Sequence, residues 1–253
     1  MREQMLKLKF RSQRLERDRN GYAGWKSFEE KGAFRASQTA LLLCDVWDTH
    51  TCRGAVERLD KMVHRMNDVT KAVRRKGALI VHAPSDVMSF YVDAPARRRV
   101  FSAPPTEPPP DIPHVDPPLP VDGGDCCDTD RNPSPPGENC YPWRREHPAI
   151  EIDQERDIIS DRGRDLFSYY RAHDIHNMII MGVHTNMCVL HRTFAIKQMV
   201  RWGFKVALIR DLTDAMYNPA AWPYVSHDEG TQLVIGYIEK FWCPTIVSEQ
   251  LLG

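Results

Sequence analysis

The sequence carries no surplus of charge: 34 Lys and Arg face 34 Asp and Glu over 253 residues, a formal net charge of zero. Without a net field the whole molecule is not drawn to nucleic acid or to an anionic membrane, and neither is expected as a partner. No apolar run approaches the roughly 20 residues that span a bilayer. Residues 1–20 are charged throughout, where a signal peptide would be apolar, so the expected location is the cytoplasm. Cysteine pairing motifs are also missing. The seven cysteines, Cys44, Cys52, Cys126, Cys127, Cys140, Cys188 and Cys243, are odd in number and contain no C-x-x-C pair, which argues against a zinc module or a disulfide framework. Cys126, Cys127 and Cys140 could form a bridge in an oxidising compartment; the reading adopted is that they are plain loop cysteines. Lysine is absent between Lys76 and Lys197, and no internal repeat is visible.

What is present falls into three territories. Residues 1–36 are polar and Arg-rich, with an alternating run at 5–10 (MLKLKF) that suits an edge strand or an arm docking on a partner subunit. Residues 37–253 form the main domain, interrupted at 93–150 by an insertion. Fifteen of the 19 prolines lie between Pro95 and Pro148, which excludes regular helix or interior strand there.

The rest alternates short apolar runs with amphipathic stretches, the pattern of βαβ units around a buried parallel sheet. Strands are expected at 40–45 (ALLLCD), 78–82 (ALIVH), 157–160, 177–181 (NMIIM), 204–210 (FKVALIR) and 245–248. Helices follow with Val56, Leu59, Val63, Met66 and Val73 on one face, ending at Gly77, and with Val189, Thr193, Ile196 and Val200 on one face, ending at Gly203. Ser226 and Glu229 form a capping box that opens a further helix. Ligands of such a sheet sit outside the carboxyl ends of its strands. Those ends deliver Asp45, His82, residues 160–162, residues 184–188 and Asp211.

Cys188 lies where a strand turns into a helix, so unpaired N–H groups there could stabilise a thiolate and hold an oxyanion. Burial after an apolar strand would raise the pKa of Asp45 and suit it to exchange a proton with a thiol. These two residues sit in segments that resemble the isochorismatase-like cysteine hydrolases, which include nicotinamidases and N-carbamoyl amide hydrolases. The resemblance covers roughly residues 39–252 and rests on LLLCDVWDTH around Asp45, LIVHAPSD around His82, MIIMGVHTNMCVLHRTFAIKQMVRWGFKVALIRDLTDAM around Cys188 and the closing PTIVSEQLL. GVHTNMCV is its most specific part.

The resemblance implies an α/β fold of three layers, α/β/α, with a six-stranded parallel sheet in Rossmann-type order. It implies a cis peptide between Val183 and His184, with the N–H groups of His184 and Cys188 turned to an oxyanion and Thr185 in the same loop. The family's catalytic set is Asp, Lys and Cys, with the lysine after the third strand. This chain has none there, and Arg162 stands nearest, ahead of Arg156 and Arg164. Arginine keeps the charge and gives up the titratable proton. Trp47, His50 and His82 are expected to line the substrate pocket. No cofactor is expected, since HAPSDVMSFY, the segment corresponding to the Asp-x-His pair of the zinc-holding relatives, has His82 and Asp86 but no such pair; a metal held by Asp48, His50 and His82 is the alternative.

The expected activity is cleavage of a carbon–nitrogen bond in a small amide-like or carbamoyl substrate through a thioester on Cys188, by a homo-oligomer. The rivals are a non-catalytic binding protein of the same fold and a metal-dependent hydrolase.

Overall fold

The computed structural model describes residues 3–121, 124, 126–137 and 141–253. Along the chain these form β1 (Met5–Arg17), β2 (Ala23–Arg35), β3 (Thr39–Cys44), α1 (Arg53–Arg75), β4 (Leu79–Ala83), α2 (Pro95–Arg99), β5 (Ile158–Ile159) and α3 (Gly163–Ala172). There follow β6 (Asn177–Val183), α4 (Cys188–His191), α5 (Ile196–Arg201), β7 (Lys205–Asp214), α6 (His227–Phe241), β8 (Thr245–Ile246) and α7 (Glu249–Leu252). No helix among the described residues is long and apolar enough to cross a membrane.

All six residues of β3 are buried, because both faces of the sheet are covered. Successive side chains of a strand point to opposite faces, so its apolar run feeds two separate cores. Ala40, Leu42 and Cys44 pack with Leu166 and Tyr170 of α3, Ile196 of α5 and Val234 of α6. Leu41 and Leu43 pack with Val63, Met66 and Val73 of α1 and Leu251 of α7. Three layers result.

The sheet runs β2-β1-β8-β7-β6-β3-β4-β5. The strands from β3 to β8 are the six expected parallel strands. Their order reverses between β3 and β6, where a doubly wound sheet opens its ligand crevice. The sheet has eight strands rather than six, because residues 5–35 form a hairpin that continues it. β1 and β2 pair antiparallel from Met5↔Arg35 to Arg17↔Ala23, and Arg11↔Thr245 joins the hairpin to β8. Leu6, Leu8 and Phe34 are buried, whereas farther along the hairpin the side chains, Leu15 and Trp25 among them, are largely exposed on both faces. There the ladder is carried by the main chain, and the alternation that marks a strand in the sequence is lost.

α1 ends at Gly77, whose φ is +89°, and α6 opens on the Ser226–Glu229 capping box with both reciprocal hydrogen bonds made. The helix expected after residue 188 is two short pieces. The chain leaves helical geometry at Arg192 (φ −59°, ψ 152°), and Thr193 packs against Gly163, where a Cβ would lie 1.9 Å from the Thr193 carbonyl oxygen.

The described residues of 103–157 contain no helix or strand, and they cross one face before reaching the strand ends. Ile112 N–H donates to the Arg201 carbonyl, and Asp116 accepts from Lys197 at 2.7 Å and from the Tyr237 hydroxyl at 2.6 Å. Cys127 forms a disulfide with Cys52, 75 residues earlier, with Cα atoms 5.4 Å apart. The expectation of unbridged loop cysteines is thus corrected: the partner lies at the start of α1, and folding across the insertion, not local spacing, brings the two together. Cys140 lies outside the described residues.

Candidate active site

β3 ends at Cys44, and the next residue, Asp45, takes φ +50° and is fully buried. One carboxylate oxygen accepts the Ser85 N–H at 2.7 Å, and the other accepts Arg192 Nε at 3.0 Å. Burial pushes its pKa up, and Arg192, the Cys188 thiol and Ser85 pull it back. Gly182, at the end of β6, brings the second half of the site close: its φ is +128°, and a Cβ there would lie 2.0 Å from the Cys44 carbonyl oxygen. Only glycine lets β6 approach β3 this closely at the sheet's carboxyl edge.

The Val183–His184 peptide that follows is cis. Thr185 and Asn186 brace the loop against β7 and the segment after it. Thr185 N–H donates to the Asp214 carbonyl and its hydroxyl meets that of Thr213 at 2.7 Å, while Asn186 exchanges hydrogen bonds with the Met216 backbone at 3.0 and 2.9 Å. The Thr185 hydroxyl is therefore occupied by Thr213.

Cys188 is the first residue of α4. Its sulfur lies close enough to the Asp45 carboxylate for each group to shift the other's pKa. Burial and the Asp45 charge push the thiol far above its ordinary pKa, against the opposing pull of Arg192 and a backbone hydrogen bond from His184. With only four residues in α4, the helix supplies little dipole to favour a thiolate. The resting sulfur is held as a thiol.

The guanidinium at the site is Arg192, not Arg162. Arg192 spans the two carboxylates, Nε on Asp45 and one terminal nitrogen on Asp86, each at 3.0 Å. Arg162 is exposed at the N-terminus of α3; Arg156 pairs with Asp153 and Arg164 with Glu107, both at the surface. Gly163 sits against Thr193, so the chain after β5 lies beside the segment that supplies the cation, while its own arginine points to solvent. Arg192 follows Cys188 by four residues. That spacing places two helical side chains on one face, and it was the sequence signal for this residue.

Cys188, Arg192 and Asp86 open onto a pocket of about 290 Å³ that Trp47, His50, Tyr141, Trp143 and His184 also line. Trp143 stacks on Trp47 at 4.4 Å and on Tyr141 at 4.3 Å, and His50 lies parallel to it at 5.2 Å. The Trp47 indole N–H donates to the Ser85 carbonyl, fixing the ring beside the strand end that holds Asp45. Trp143 and Tyr141 belong to the Pro-rich insertion, which thus forms one wall of the cavity.

His82 does not reach this pocket. It is fully buried between Glu146 (Nδ1–Oε2 2.7 Å) and Asp157 (Nε2–Oδ2 3.1 Å), and Arg74 completes the cluster with Nε 3.0 Å from Asp157. Burial alone would lower the His82 pKa, but the two carboxylates outweigh it and raise it to about 9. The side chain of a β4 residue alternates away from the cavity, and Glu146 from the insertion closes over it.

Asp48 likewise serves structure, accepting the Arg144 N–H at 3.0 Å. Asp48, His50 and His82 therefore do not gather around a metal. Among the described residues the one group of three donors within 4.8 Å is Cys52, Cys127 and Asp128, whose two sulfurs are bonded to each other. Asp211, at another strand end, accepts the Ser248 N–H and hydroxyl away from the pocket.

No family model and no curated protein matches the chain. Solved structures do. A cysteine hydrolase from Pseudomonas syringae pv. phaseolicola superposes with a TM-score of 0.55 at 16% identity, over 87% of this chain and 92% of that one. An isochorismatase from Pseudomonas putida superposes with a TM-score of 0.51 at 12% identity, over 85% and 90%. The chain has the fold of these isochorismatase-like proteins.

Proposed function

We propose that the chain is a hydrolase that cleaves a carbon–nitrogen bond of a small amide-like or carbamoyl compound through a thioester on Cys188. The observation that carries this reading is the convergence, from two distant chain segments, of a thiol and a guanidinium on the wall of one pocket and a buried carboxylate behind them. The likeness in fold to a cysteine hydrolase supports it.

In the proposed cycle, Asp45 takes the Cys188 proton as the sulfur attacks the substrate carbonyl. A buried carboxylate with its pKa raised by desolvation is a better base for a thiol than an exposed one, and it returns the proton to the departing amine. The oxyanion is held by the N–H groups of His184 and Cys188. Water then attacks the thioester, with Asp45 accepting and returning a proton again. Arg192 stays protonated throughout, so it moves no proton; it holds Asp45 in place and keeps it ionised. The stacked Trp47, Trp143 and Tyr141 favour a flat substrate about the size of a single ring.

The test is a screen of small amides, ureides and carbamoyl compounds against native protein and Cys188→Ala. Turnover by the native protein alone is the expected result. Equal turnover by both proteins removes Cys188 from the mechanism.

A further inference from the structure

We propose that the free edge of β2 pairs with β2 of a second copy of this chain, joining two sheets into one across a two-fold axis. β2 is an end strand, bonded on one side to β1, and no described residue pairs with its other side. Eleven of its 13 residues are exposed; only Phe28 and Phe34 are covered to any degree. A long edge of unpaired N–H and C=O groups is normally blunted by proline, a bulge, brevity or charged side chains. β2 has no proline and no bulge, its register with β1 running unbroken over all 13 positions, so its charges alone decide which strand can add to it.

One antiparallel register of β2 against its own copy sets opposite charges across the seam. A two-fold axis perpendicular to a sheet sets each residue opposite a symmetry-related residue on the same face, so the register must be centred on one residue. Centring on Phe28 places Lys26 opposite Glu30 and Glu30 opposite Lys26, Trp25 opposite Lys31, Gly24 opposite Gly32 and Ala23 opposite Ala33. Centres at Lys26, Glu29, Glu30 or Lys31 set a like charge against itself, a centre at Ser27 makes no opposite-charge pair, and a centre at Gly32 pairs Glu29 with Arg35 but leaves residues 23–28 of the strand without a partner. Opposite charges directly across an antiparallel pair stabilise it, and like charges destabilise it. Within the hairpin, Lys26 reaches Glu16 at 3.3 Å and Glu30 reaches Arg14 at 2.6 Å, both exposed pairs of small energetic consequence that a second strand can share.

The test is size-exclusion chromatography with light scattering on the full chain and two charge reversals. The native chain is expected to dimerise. Lys26→Glu and Glu30→Lys each face like charges twice in their own dimers and are expected to bind themselves roughly tenfold more weakly. An equimolar mixture of the two regains both opposite-charge pairs and is expected to form the dimer again. Circular dichroism melts check that each variant is folded; where one is not, Lys26→Gln and Glu30→Gln provide the weaker neutral version. A monomeric native chain, folded reversals that dimerise as the native chain does, or a mixture that stays monomeric would each overturn the proposal.

Discussion

Two buried ionic clusters stand at the carboxyl ends of neighbouring strands, one at β3 and one at β4. Asp45 with Arg192 and the Cys188 thiol faces a cavity, whereas His82 with Glu146, Asp157 and Arg74 is sealed on all sides. Both contain acids, a cation and a titratable group able to exchange protons. Access separates them. In the first, the proton-bearing sulfur lies on the wall of a space that admits a substrate. In the second, each side chain is paired with another, with Glu146 Oε1 alone left without a hydrogen bond, and the pairs fasten the insertion to the sheet. Fixing Glu146 also fixes the pocket, since Glu146 forms an isolated β-bridge with Trp47 and lies three residues from Trp143.

The sharpest way to break the comparison is substitution at both clusters. Cys188→Ala is expected to lower kcat by a factor on the order of 10⁴ or more. Asp45→Asn should lower it by about 10² to 10⁴, the range associated with losing a general base. Neither should lose the fold. In the sealed cluster, His82→Leu leaves Glu146 and Asp157 buried without their partner, at a cost of about 3 to 5 kcal/mol. For a chain of this length that lowers Tm by roughly 10 °C, measurable by calorimetry. An unchanged Tm combined with a collapse of kcat in His82→Leu would erase the distinction.

The pH dependence sharpens it further. The folded-state pKa of His82 is raised from 6.5 to about 9. The unfolded chain therefore releases that proton first, and the stabilisation, fully present below pH 6.5, is lost as pH rises through 9. Tm should fall across that window in the native chain, and fall less in His82→Gln.

The catalytic cluster answers to pH through activity instead. Arg192 holds the Asp45 pKa down, so Arg192→Ala raises it, and the acid limb of the kcat/KM profile should move to higher pH. Arg162→Ala, an exposed change outside the pocket, should leave that profile where it was.

The two clusters were unequally legible in the sequence. The strand runs, the glycine-containing turn and the position of Cys188 pointed to the first, because each is a local pattern that a parallel sheet converts into a strand end. Arg192 was missed because the family's cation is expected from another strand, although its spacing of four residues from Cys188 was there to be read. His82 was expected in the pocket because it ends a strand; its enclosure depends on Glu146, 64 residues away across the insertion. The Cys52–Cys127 bridge is hidden for the same reason. β2 escaped notice because Trp25, Phe28 and Phe34 are spaced by three and six residues, which breaks the period-two alternation of a strand.

The most direct test of the account is the rate at which a small electrophilic amide, iodoacetamide, alkylates Cys188, followed by intact mass and peptide mapping in native protein and Asp45→Asn. Asp45 as the acceptor of the thiol proton predicts that the native protein is labelled at Cys188 and that Asp45→Asn is labelled there at least tenfold more slowly, with Cys126 labelled equally in both. Equal rates at Cys188 in the two proteins, or no labelling of Cys188 in the native one, would contradict it.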